Sequence, residues 1–98
     1  MFGLGKRHLD YILDTLKQDL PNGKFYIFGS RAKGTNKEYS DIDIAIKCGE
    51  EKISADVLGK LLMTFTDSTL PYEVDIVDLN AIDEKFKTLI KDDLVELK

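Results

Sequence analysis

One cysteine and one histidine stand in 98 residues, and no apolar run approaches the roughly 20 residues of a membrane span. A single Cys48 cannot close an internal disulfide or build a cysteine-cluster metal site, which fits a reducing compartment. The residues Met1 to Lys6 lack the apolar stretch of a secretory leader. Basic excess is missing too: 14 Lys and Arg face 18 Asp and Glu, a net charge of −4. Duplex nucleic-acid binders draw most of their affinity from a basic footprint, so direct binding of nucleic acid is not expected. No repeat, low-complexity tract or linker interrupts the chain. What is present is 43% hydrophobic and 33% charged residues, enough apolar content to exclude disorder. The expectation is one cytoplasmic domain spanning residues 1–98, long enough to bury a single core.

Leu9, Ile12, Leu13, Leu16 and Leu20 recur at helical spacing until Pro21-Asn22-Gly23 stops the pattern. Phe25-Tyr26-Ile27-Phe28 reads as a buried strand bounded by glycines. A polar, glycine-punctuated stretch from Gly29 to Ser40 has room for one helical turn at its start. From Asp41 to Lys47 the chain alternates, Ile42, Ile44 and Ile46 against Asp41, Asp43 and Ala45. A second helical stripe runs through Ile53, Val57, Leu58, Leu61, Leu62 and Phe65, and Pro71 separates it from a strand over Tyr72 to Asp78. Asn80 is placed to cap a last helix carrying Ile82, Phe86, Leu89 and Ile90, while Leu94 to Leu97 suits either helix or strand. The order α-β-β-α-β-α predicts an α/β (α+β) architecture, a small mixed sheet packed with helices.

Three features carry chemistry. Gly29-Ser30 follows a buried strand directly and precedes Arg31 and Lys33. Glycine lets backbone approach a ligand closely, N–H groups at a helix start favour phosphate, and the two cations could add charge-assisted contacts. The bland alternative is an ordinary strand-to-helix turn. A P-loop is excluded despite the Gly29–Gly34 spacing, because Thr35 stands where its lysine belongs. Second, Asp41-Ile42-Asp43 puts two carboxylates on one strand face, their Cα atoms about 6.5–7 Å apart. Carboxylates so spaced can grip a pair of divalent cations, and an all-oxygen donor set suits magnesium. A solvated strand face is the alternative, weakened because aspartate is disfavoured in strands. Third, Asp75 interrupts the apolar run Val74-Asp75-Ile76-Val77, which is expensive unless the carboxylate is solvated, paired or metal-bound. If its strand neighbours that of Asp41 and Asp43, three carboxylates converge on one face. Glu73 and Asp78 read as solvated flanking acids, His8 as a packing or surface residue, and Cys48 as no nucleophile.

Gly29-Ser30, then Asp41-Ile42-Asp43 inside Ser40–Ile46, then a later strand aspartate: this combination resembles the nucleotidyltransferase superfamily related to DNA polymerase β. The spacing is most similar to the minimal nucleotidyltransferases that act as antitoxins beside HEPN-domain proteins, and the resemblance spans Phe25 to Asp78. It implies a nucleotidyltransferase fold. It further implies that Gly29 and Ser30 hold the phosphates of ATP, that Asp41 and Asp43 hold two magnesium ions, and that Asp75 ligates one of them and helps deprotonate the acceptor. Arg31 and Lys33 are carried over only as phosphate contacts. Some members of that group move AMP from ATP to a tyrosine of the partner HEPN toxin and so silence it. Two other readings stand beside this one: a module that binds nucleotide or partner without chemistry and neutralises the toxin by steric cover, and an antibiotic-modifying enzyme, for which no drug-holding helical domain is evident.

Overall fold

The computed structural model describes every residue from Met1 to Lys98. Helix α1, Lys6–Asp19, turns its Ile12 and Leu16 fully inward, and the chain reverses at Pro21-Asn22-Gly23, where the Gly23 N–H donates to the Leu20 carbonyl. Strand β1, Lys24–Phe28, leads through Gly29 into a single helical turn, α2, Ser30–Lys33. Strand β2 covers Ile42–Lys47 and helix α3 Ala55–Thr66, whose first turn is capped by the Ser54 hydroxyl accepting from the Val57 N–H. Strand β3 is Val74–Asp78, two residues shorter at its start than the sequence pattern suggests, and the Tyr72 ring ahead of it lies against the Arg31 guanidinium.

Helix α4, Glu84–Ile90, is capped by Asp83, whose carboxylate accepts from the Phe86 N–H. Asn80, the expected cap, instead ties loops together: it accepts from Lys47 Nζ at 3.0 Å and donates to the Gly49 and Glu51 carbonyls. A 3-10 turn over Lys91–Asp93 ends the helix, and the tail resolves as a strand, β4, Val95–Leu97.

The sheet runs β3-β2-β1-β4. β1 pairs antiparallel with both β2 and β4, and β2 pairs parallel with β3, with α3 as the crossover a parallel pair requires. Mixed pairing and flanking helices agree with the expected α/β architecture. One sheet face presents Phe25, Ile27, Ile42, Ile44, Ile46 and Val74 to α1 and α3, where they join Ile12, Leu16, Leu61 and Phe65 in the main core. Burying each of those aliphatic side chains contributes about 1.5–3 kcal/mol. On the other face Phe28 and Ala45 pack with Leu79 and Ile90, so α4 covers only part of it.

Candidate functional site

The uncovered part of that second face holds the aspartates. Because side chains alternate, burying Ile42, Ile44 and Ile46 against α1 and α3 sends Asp43 to the opposite side. Asp43 pairs in register with Asp75 on parallel β3 and with Phe28 at the end of β1. Strands so paired lie about 4.8 Å apart, which makes Asp43 and Asp75 immediate neighbours on one face. Asp41 stands one residue before β2 and is exposed, as is Asp75, while Asp43 is half-buried.

Burial pushes the Asp43 carboxyl above the usual carboxylate range, and the charges of Asp75 and then Asp41 push it further. None of the four ion pairs, Lys6–Asp10, Lys33–Asp93, Lys60–Asp19 and Lys87–Glu84, reaches these three acids. Of the three expected carboxylates, the sheet pairs Asp43 and Asp75 in register, and Asp41 is near enough for its charge to act on Asp43, but the three do not close into a three-ligand cluster. The donor set is all oxygen and carries three negative charges with no lysine or arginine partner, which fits a hard divalent cation such as magnesium.

Gly29 is required here on two independent grounds. Its φ of 76° and ψ of −154° lie in a region that essentially only glycine occupies. A Cβ on it would also run into the Asp43 carboxylate, Oδ2 first and then Cγ at 3.2 Å. The turn before Ser30 is thus pressed against Asp43, and the phosphate-binding candidates and the carboxylates form one site. Ser30 opens α2, and the first N–H groups of a helix have no acceptor within it.

Arg31 behaves differently from the sequence expectation. Arg31 is 1% exposed, and its five N–H groups are engaged with backbone carbonyls: Nε and Nη2 with Ser40, Nη2 also with Glu38, Nη1 with Phe2 and Gly3. Its guanidinium also lies 4.7 Å from the centroid of the Tyr72 ring. It has no donor left for a phosphate, so its assignment as a phosphate contact is corrected. Arg31 is a clamp, joining the N-terminal strap, the residue before Asp41 and the segment leading to Asp75. A buried guanidinium needs such saturation, because leaving its donors unpaired would cost more than the burial returns. Lys33 is about half exposed and pairs with Asp93 at 3.4 Å.

Asp78, expected to be solvated, is 3% exposed: its carboxylate accepts from the Ile53 N–H at 2.6 Å and the Asn80 N–H at 2.9 Å, fixing the loop ahead of α3. An aspartate followed two residues later by asparagine at a strand end is a turn signal that could have revealed this. Nothing local to Arg31 marks it as buried, since its acceptors lie up to 29 residues away. His8 packs edge-on against Tyr72, with ring centroids 5.6 Å apart.

Residues 11–97 match the family described as polymerase beta, nucleotidyltransferase. Over 76 residues the chain is 38% identical to "Probable protein adenylyltransferase MntA" of Haemophilus influenzae, covering 78% of this chain and 66% of that protein. This chain thus aligns with just under two thirds of that relative's length. It is 37% identical over 71 residues to a protein of Methanocaldococcus jannaschii named as a candidate protein adenylyltransferase, covering 72% of this chain and 74% of the other. Among solved structures, a toxin–antitoxin complex with AMP-PNP superposes with a TM-score of 0.73 and 26% identity, over 92% of this chain and 72% of its own.

Proposed function

This chain belongs to the polymerase beta nucleotidyltransferase family, and from that premise we propose that it is a magnesium-dependent protein adenylyltransferase. It transfers AMP from ATP to a tyrosine hydroxyl of a HEPN-domain partner and so acts as an antitoxin, with residues 1–98 working as one nucleotidyltransferase domain. The observation that carries this reading is the registered pair Asp43 and Asp75 beside the glycine turn at Gly29. The names of the H. influenzae and M. jannaschii relatives support protein adenylylation, and the AMP-PNP complex supports an adenine nucleotide and a toxin partner. A cytoplasmic setting suits the free thiol of Cys48.

In this reading Gly29 and Ser30 position the triphosphate, and the absence of a Cβ at Gly29 lets it lie against the carboxylates. Asp41, Asp43 and Asp75 would hold magnesium, which would supply neutralisation of the phosphate charge for the in-line displacement. The acceptor oxygen forms a bond to the α-phosphorus as the bond to the bridging oxygen breaks. The electron pair leaves with pyrophosphate, and the acceptor proton passes to Asp75 and on to water. Binding orients the hydroxyl in line, and much of the rate comes from that positioning.

α-Labelled ATP should label the partner, γ-labelled ATP should not, and the partner's intact mass should rise by whole AMP units. Mg-ATP binding without pyrophosphate release in the partner's presence would instead favour a non-catalytic module that neutralises by steric cover. Labelling that survives in Asp43→Asn would remove the metal-site assignment.

A further inference from the structure

Tyr39 stands two residues before Asp41, at the tip of a turn over residues 37–40. The Ser40 N–H closes that turn on the Lys37 carbonyl at 3.2 Å, and the Lys37 N–H donates to the Ser40 hydroxyl at 2.8 Å. The carbonyls on either side of Tyr39, those of Glu38 and Ser40, both accept from Arg31 Nη2, at 3.2 and 2.8 Å. Its backbone is therefore fixed, yet the residue is 68% exposed. We propose that Tyr39 is a self-adenylylation site, a phenol of this chain that takes AMP from Mg-ATP when no partner is supplied. The proposal rests on the adenylyl-transfer reading above and adds to it a modification site on the chain itself.

The other three tyrosines are engaged elsewhere. Tyr11 packs edge-on against Phe65 with ring centroids 6.3 Å apart, Tyr72 lies against both the Arg31 guanidinium and the His8 ring, and Tyr26 is half-buried against the second core. Tyr39 has no aromatic partner, and its hydroxyl is hydrogen-bonded to nothing else in the chain. Ser40 is nearer to Asp41 in sequence, but it is half-buried and its hydroxyl is held in the turn by the Lys37 N–H. Two residues of chain span at most about 7 Å, so the Tyr39 backbone stays beside Asp41. A free phenol on a turn already ordered by Arg31 loses little backbone freedom when it enters a site. In the transfer the Tyr39 phenolic oxygen forms a bond to the α-phosphorus as the bond to the bridging oxygen breaks. Pyrophosphate leaves with that electron pair, and the phenolic proton goes to water.

The test incubates the full chain with Mg-ATP, without and with the HEPN-domain partner, and reads intact mass and peptide maps. Without the partner, one AMP unit should appear on the chain, at Tyr39. Tyr39→Phe should lose nearly all of that label and Tyr11→Phe should keep it. Tyr39→Phe removes only a hydroxyl that the fold does not use, so its melting temperature and its transfer to the partner should match the parent's. Asp43→Asn should abolish self-labelling, which ties the reaction to this chain's own carboxylates. Label that persists in Tyr39→Phe, maps to another residue or survives Asp43→Asn would overturn the inference. A partner that gains AMP while the chain alone gains none would overturn it and leave the adenylyl-transfer reading intact. AMP on neither protein would remove both.

Discussion

The two faces of the sheet are built from neighbouring residues and have opposite economies. Ile44 is completely buried beneath α1 and α3, and Asp43, one residue earlier, faces the gap that α4 leaves open. On the first face every side chain adds to stability by leaving water. On the second, Asp43 is held in a partly buried position beside two other carboxylates, an arrangement that burial and like charge both oppose. The difference teaches where stability and chemistry are separated in this fold: by the two-residue period of a single strand.

Asp43→Asn should break the comparison most sharply. Adenylyl transfer should fall on the order of 10³-fold, the scale of removing one essential catalytic group, while the melting temperature stays level or rises. The pH dependence follows from the same cause. The folded Asp43 carboxyl titrates above its unfolded counterpart, so its contribution to stability is present at acid pH and is lost as pH rises through the carboxylate range. Melting curves between pH 3 and 7 should lose that component in Asp43→Asn, and added magnesium should raise the melting temperature of the parent more than that of the variant.

Ile44→Ala is the mirror experiment. It should lower unfolding free energy by about 2–5 kcal/mol in urea titrations, with activity per folded molecule little changed. A loss of activity matching that of Asp43→Asn would show that the faces are coupled.

Arg31→Lys sharpens the boundary between them, since the clamp touches both acid-bearing segments. A single ammonium cannot serve carbonyls of Ser40, Glu38, Phe2 and Gly3 together, so unfolding free energy should drop by about 2–3 kcal/mol. Transfer should fall through kcat more than through the KM for ATP, because Arg31 positions the carboxylates and does not meet phosphate. Lys33→Ala is the smallest: its ion pair with Asp93 is half exposed, and stability should move by less than about 0.5 kcal/mol. A tenfold loss of Mg-ATP affinity in that variant, by calorimetry, would show that Lys33 leaves Asp93 for the triphosphate.

Most of the architecture was legible because its signals are local. The leucine and isoleucine spacing of α1, the turn chemistry of Pro21-Asn22-Gly23 and the alternation through Ile42, Ile44 and Ile46 each report on a few adjacent residues. The Gly29-Ser30 and Asp41-Ile42-Asp43 pair was legible for the same reason. Its helix caps were less so: Asp83 and Asn80 both qualify by residue type, and only packing of the loop onto Lys47, Gly49 and Glu51 separates them.

Periodicity along the chain thus settled which residues face inward, and spacing settled which acids could share a strand face, because both depend on backbone geometry that repeats every two or 3.6 residues. Strand order is different in kind. That β3 lies parallel to β2 and puts Asp75 opposite Asp43, that Arg31 is saturated by carbonyls from both ends of the chain's first half, and that β3 keeps a free flank beside α3 all depend on contacts between distant segments. Such contacts follow from burying one shared core, and no window of sequence contains them.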